Sequence, residues 1–189
     1  NYRKKIQKLN YKSFFLTHEY VSNIIDKIRD KISYSSFFNI NKNTKLKILH
    51  ITNFNHRYFG RLQYNTGIRI NNGLIREGHN VLSLSDRDLI SLGKSFRDYT
   101  GSKYLNDLVS KTITNFKPDM VIMGHADRID TKMLAAMKNS HKNLKIAQWF
   151  LDPLTRKGPD YNKNKSRILD KLDSVDSTFI TTDPNSLDF

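Results

Sequence analysis

Four short polar stretches hold most of the side chains in this sequence that can do chemistry. The first, Asn53-Phe54-Asn55-His56-Arg57-Tyr58-Phe59-Gly60-Arg61, sets Asn55, His56 and Arg57 ahead of Gly60 and Arg61, with Asn65 and Thr66 soon after. Guanidinium and amide groups ahead of a helix start suit an anion, because the first backbone N–H groups of a helix lack intrahelical partners and carry the positive end of its dipole. The stretch has one glycine before Gly67, so it is not a G-x-G-x-x-G dinucleotide fingerprint, and a hydride-transfer enzyme is disfavoured. A solvated surface loop is the alternative reading of the same residues. The second stretch, Ser85-Asp86-Arg87-Asp88, reads most simply as a helix cap from Ser85 or Asp86. The third, Gly124-His125-Ala126-Asp127-Arg128, joins a carboxylate to an imidazole that can act as general base, phosphate ligand or plain hydrogen-bond partner. The fourth, Trp149-Phe150-Leu151-Asp152-Pro153, offers an aromatic pair to stack on a sugar or base and a carboxylate to bind hydroxyls. Trp149 also reads as core, which leaves Asp152 the stronger site residue, and Thr181-Thr182-Asp183-Pro184 reads as a simple turn.

Each of these stretches begins where a strand should end. Short apolar runs predict strands over Leu46–Thr52, Asn80–Leu84, Asp119–Met123, Lys145–Trp149 and Ser177–Thr181. Helical segments between them are expected over Asn65–Glu77, Tyr104–Phe116, Thr131–Asn139 and Lys163–Leu172, with Gly78 as a left-handed cap and Lys117-Pro118-Asp119 as a turn. The alternation is that of βαβ units, so the expected fold is a Rossmann-like α/β domain with a parallel sheet and flanking helices. In such sheets ligands bind beyond the carboxyl ends of the strands, which is where the four stretches fall.

Composition narrows the function. The 189 residues suffice for one main core, expected over 45–189. Residues 1–44 form a basic, aromatic extension with a helix expected over Glu19–Ile32 and an Asn-rich linker at Asn39–Lys45. That helix reads as packed on the domain's flank or as lying on a membrane surface or other anionic partner. The formal net charge is +14, and it is uneven: residues 1–50 hold 11 Lys and Arg against 3 Asp and Glu, the remainder 21 against 15. Such a field attracts phosphates and acidic surfaces, although a sequence rich in Lys, Asn and Ile is also what a low-GC genome encodes. The absence of cysteine excludes disulfides, zinc ribbons and cysteine nucleophiles. Scattered histidines without H-E-x-x-H spacing, and the lack of G-x-x-x-x-G-K-[ST], G-x-S-x-G and EF-hand patterns, point away from metal, P-loop, hydrolase and calcium chemistry. Interspersed acidic residues and the lack of helix-turn-helix, RRM or KH patterns make nucleic acid an unfavoured partner. No apolar run reaches the roughly 20 residues of a membrane span. A start at Asn1 and an end at Phe189, soon after a strand, lead to the expectation of a fragment.

Three segments resemble the amino-terminal half of CgeB-like and related two-Rossmann (GT-B) glycosyltransferases. They are Lys47–Gly60, the Gly78-His79-Asn80-Val81 step that ends Asn72–Val81, and the Lys117-Pro118-Asp119 entry to the third strand; the resemblance extends over about residues 46–183. It implies transfer of a sugar from a nucleotide diphosphate sugar to an acceptor hydroxyl without an obligatory metal or other cofactor. This chain would be the acceptor-side half, and a carboxy-terminal domain outside it would hold the nucleotide-sugar. Within that reaction, position at the strand ends leads to the expectation that His125, Asp127 or Asp152 orients or deprotonates the acceptor, that Arg57, Gly60 and Arg61 reach toward the diphosphate, and that Asn55, His56, Asn65, Thr66 and Trp149 bind substrate. The setting it implies is cytoplasmic synthesis of envelope polysaccharide or lipopolysaccharide, with residues 1–44 able to meet the inner membrane face. The reading from another class is a non-catalytic Rossmann-like module that uses its basic, aromatic amino-terminal segment to dock on an anionic membrane surface or nucleic acid.

Overall fold

The structure, a computed structural model, describes residues 44–61 and 63–187, in which one or two helices separate each strand from the next. The chain divides into two units at Thr44 and Lys45, and the helix expected over Glu19–Ile32 lies outside the described residues. Strands β1 (Lys47–Thr52), β2 (Asn80–Ser85), β3 (Met120–Gly124), β4 (Lys145–Phe150) and β5 (Ser177–Ile180) form one sheet in the order β2-β1-β3-β4-β5. Every pairing is parallel, which bears out the expected α/β fold of Rossmann-like type. Burial follows position in the sheet: β1 and β4 are buried almost end to end, whereas the edge strands β2 and β5 alternate exposed and covered residues.

Five helices complete the described fold: α1 (Thr66–Arg76), α2 (Asp86–Gly93), α3 (Ser102–Phe116), α4 (Thr131–Ser140) and α5 (Tyr161–Leu169). Leu49 and Ile51 of β1, Val121 and Met123 of β3 and Ile146 of β4 share one face of the sheet. They pack with Leu105, Val109 and Ile113 of α3 and Leu134 of α4 in the main core. The spacing of the three α3 residues puts them on one helical stripe, and full burial of each such side chain is worth roughly 1.5–3 kcal/mol. On the opposite face α1 meets the sheet through Asn71, which accepts hydrogen bonds from Nδ1 of His50 at 3.1 Å and from the Ser83 hydroxyl at 2.8 Å. Helices therefore lie on both faces, as in doubly wound sheets.

Local chemistry sets the element ends. Asn65 caps α1, its amide oxygen accepting from the Ile68 N–H at 2.8 Å. Gly78, at φ +82°, supplies the left-handed residue that lets its own N–H reach the Ile75 carbonyl and that of His79 reach Leu74. Lys117 takes the same conformation at the end of α3. Two expectations shift. Helix α2 stands as an element of its own, since Leu89 and Ile90 give two short turns an apolar face into the core. The helix expected to run to Leu172 stops at Leu169, and a tightened turn follows in which the Lys171 N–H bonds the Ile168 carbonyl.

Candidate functional site at the carboxyl edge of the sheet

β1 is flanked by β2 on one side and β3 on the other, so the chain leaving β1 and the chain leaving β3 diverge across the sheet's carboxyl edge. Doubly wound sheets bind ligands at such a switch point. The loop leaving β1 makes a turn of 3-10 helix at His56–Tyr58, with Asn55 and Phe59 on either side in left-handed conformation. It is latched to the start of α2: the N–H groups of His56 and Arg57 donate to the two oxygens of Asp88, at 2.8 and 3.4 Å, and that of Phe54 donates to the Ser85 hydroxyl at 3.1 Å. The Ser85 hydroxyl in turn donates to Asp88. Ser85 does occupy the cap position of α2, but its side chain serves the latch and makes no cap hydrogen bond.

The middle residues of that Ser-Asp-Arg-Asp step face inward. Asp86 is 1% exposed, and burial pushes its carboxyl up to about 6 against the pull of the neighbouring Arg87 charge and N–H. Arg87 spans the switch point: Nη2 donates to both oxygens of Asp127, at 3.0 and 2.9 Å, and Nε lies 3.7 Å from Asp86. Asp127 also accepts from Arg167 of α5 at 3.4 Å. Its partial burial alone would raise its carboxyl, but Arg87, Arg167 and backbone hydrogen bonding together hold it below the ordinary range.

From Arg167 the charges continue to Asp152, 3.9 Å away, and from Asp152 to Nδ1 of His125 at 3.6 Å. That last separation exceeds a hydrogen bond, so Asp152 acts on the imidazole through its charge. His125 holds a left-handed backbone, φ +52°. Its ring stacks on Phe150 at 4.6 Å and meets Trp149 edge-on at 5.6 Å. Burial against these aromatics lowers its pKa, and the Asp152 charge opposes the shift only in part. The left-handed conformation costs a non-glycine residue on the order of 1–3 kcal/mol, and such strain concentrates at functional sites. Trp149 itself is buried and lies over Gly124, where an added Cβ would stand 2.1 Å from the indole.

Of the residues singled out from the sequence, His125, Asp127 and Asp152 thus come together in one network, with Trp149 against the imidazole. Arg57 reaches its edge, donating from Nη1 to the Arg87 carbonyl at 3.3 Å. Asn55 and His56 stand in the latched turn, whereas Gly60 and Arg61 are exposed farther along the loop and Thr66 is exposed at the first position of α1. Asn65 is committed to its cap and, through its amide nitrogen, to the Asn53 carbonyl at 3.0 Å. Sequence reasoning missed Arg87 and Arg167 as network members and passed over Lys171, which is 5% exposed and whose burial lowers its pKa. The available signal was the four-residue spacing of Arg167, on α5, and Lys171, in the turn that follows it.

Behind His125 the space is nearly closed, a void of about 10 Å³. In front, between the β1 loop, α2 and the residues after β3, lies an open cleft of about 370 Å³ bordered by Arg57, Arg87 and Arg128. A groove of about 410 Å³ runs along α3 beside Leu82, away from the charge network. Among the described residues no group of three or more His, Asp or Glu is disposed to hold a metal ion, and no helix is long and apolar enough to cross a membrane.

No family model and no curated protein matches the sequence. Among solved structures, a GH18 chitinase from Pseudoalteromonas aurantia is similar at a TM-score of 0.31 and 14% identity. The similarity covers 61% of this chain and 48% of that one, so this chain spans about half the chitinase's length. At that score nothing about fold or activity passes from one to the other.

Proposed function

We propose that this chain is the acceptor-side half of a GT-B glycosyltransferase. The observation that carries the reading is the pairing of His125 with Asp152 at the carboxyl edge, beside the β1/β3 switch point. An imidazole whose pKa is lowered by burial is neutral at neutral pH and so is free to accept a proton. In the proposed reaction His125 takes the proton of an acceptor hydroxyl as its oxygen bonds to the sugar's anomeric carbon. The bond from that carbon to the diphosphate breaks, and the nucleoside diphosphate leaves with the electron pair. Asp152 stabilises the imidazolium that forms, Asp127 fixes the guanidiniums around it, and Arg61 faces the developing charge of the leaving group. The nucleotide-sugar itself is held mainly by a domain outside this chain. The proposed setting is cytoplasmic, at envelope polysaccharide or lipopolysaccharide synthesis, with residues 1–44 available to an anionic membrane surface.

The test is turnover of a panel of nucleotide-sugars by the protein expressed from its complete reading frame. Release of nucleoside diphosphate that falls roughly 100-fold or more in His125→Ala supports the reading; no turnover of any donor removes it. The second reading, a non-catalytic module that docks on an anionic partner, is favoured by the exposed rings of Phe59 (99%) and Phe96 (86%), of which Phe59 lies two residues before Arg61 and Phe96 next to Arg97.

A further inference from the structure

We infer that the cleft bordered by Arg57, Arg87, Lys94 and Arg128 binds a phosphate group, and, resting on the transferase reading, that this phosphate belongs to the acceptor. The cleft measures about 370 Å³, within the roughly 300–1,000 Å³ of small-molecule sites. Four cationic side chains line it, with the hydroxyls of Ser91 and Thr100 and no carboxylate. Two of the cations are already engaged, Arg57 with Asp88 and Arg87 with Asp86 and Asp127. Lys94 and Arg128 have no side-chain hydrogen bond or ion pair among the described residues. The cleft thus keeps two uncompensated positive charges, a number that suits a phosphate dianion better than a singly charged carboxylate.

The elements are set for this task. The latch through Asp88 holds Arg57 on the rim, and the two hydrogen bonds that Arg87 donates to Asp127 fix its guanidinium, so two of the four cations are preorganised. Tyr99, 72% exposed, stands at the same rim and offers a ring for a sugar to stack on. His125 and Arg128 stand three residues apart in the loop that leaves β3.

The experiment is calorimetric titration of the full chain with inorganic pyrophosphate and with glucose 1-phosphate, at low and high salt. The wild type is compared with the double variant Lys94→Gln, Arg128→Gln. Both sites are exposed, and melting curves confirm that the variant folds. Binding that weakens with salt, and about 100-fold in the double variant, is expected, because two charge-assisted contacts are lost. No phosphate binding to the wild type, binding unchanged in the variant, or binding of glucuronate in preference to either phosphate overturns the inference. Displacement of glucose 1-phosphate by UDP assigns the phosphate to the donor and overturns the acceptor assignment. Phosphate binding without turnover of any nucleotide-sugar leaves the cleft standing and removes the transferase reading instead.

Discussion

Replacing Asp86 by Asn should make this protein more stable at neutral pH, by an amount that grows as the pH rises. The carboxyl is 1% exposed at the start of α2, and its ordinary value of 3.8 is pushed up to about 6, chiefly by burial. A carboxyl raised in the folded state binds its proton more tightly there than in the unfolded chain. Its favourable contribution is therefore complete below 3.8 and is lost as the pH climbs through about 6. At about 1.36 kcal/mol for each pH unit, carrying the carboxyl from 3.8 to about 6 costs about 3 kcal/mol by neutrality. Asn keeps an oxygen to accept the Arg87 N–H, which Asp86 now accepts at 2.7 Å, but it gives up the attraction of the guanidinium 3.7 Å away. The expected gain at about pH 7 is accordingly about 1–3 kcal/mol, closing to near zero at about pH 4. Urea unfolding at a series of pH values measures it, followed by the fluorescence of the single tryptophan. A gap that stays constant between those limits, or a variant less stable than wild type at about pH 7, would refute the reasoning, since Arg87 would then outweigh burial.

Three further expectations rest on single contacts. Asn65→Ala removes the cap of α1 and should cost about 1 kcal/mol in urea unfolding, while Asn65→Asp, which retains an acceptor for the Ile68 N–H, should restore most of it. Gly124→Ala drives a Cβ into the Trp149 indole and should cost about 1–3 kcal/mol with a shift in tryptophan emission; a variant indistinguishable from wild type would show that the indole is free to move. If His125 is the base of a transfer reaction, the acid limb of the pH–rate profile of the complete protein should lie below 6.5, because the neutral, proton-accepting form persists to lower pH, and a limb centred above 6.5 would exclude it.

The sheet was legible because its signal is repeated. Runs such as Lys-Ile-Leu-His-Ile-Thr and Lys-Ile-Ala-Gln-Trp-Phe are too continuously covered for a half-exposed strand and too short for most helices, and each is bounded by turn residues. The helix caps at Asn65 and Gly78 were legible for the same local reason, since capping is decided within three or four residues. Helix α2 was not, because its eight residues begin with the charged Asp-Arg-Asp of the site and leave only two short turns of apolar pattern. The Ser85 or Asp86 capping interpretation held in position, with Ser85 at the cap of α2, but not in bonding. A hydroxyl and a carboxylate at a helix start suit a cap, but here one serves a latch to residues about 30 positions earlier and the other is buried.

The partners of the site were hidden by sequence distance. Arg87 and Asp127 are 40 residues apart, as are Asp127 and Arg167, and no periodicity links them. A parallel sheet makes this unavoidable. Each crossover returns the chain to the same edge, so the loops after β2, β3 and β4 converge although a whole helix separates each from the next. Reading strand ends therefore finds where polar and charged side chains gather, and finds His125, Asp127 and Asp152 with them, but it leaves open which charges neutralise one another. That pairing decides the outcome at this edge. Arg87 and Arg167 are absorbed by carboxylates and position them, whereas Lys94 and Arg128, one residue past α2 and one past Asp127, keep their charge for a ligand.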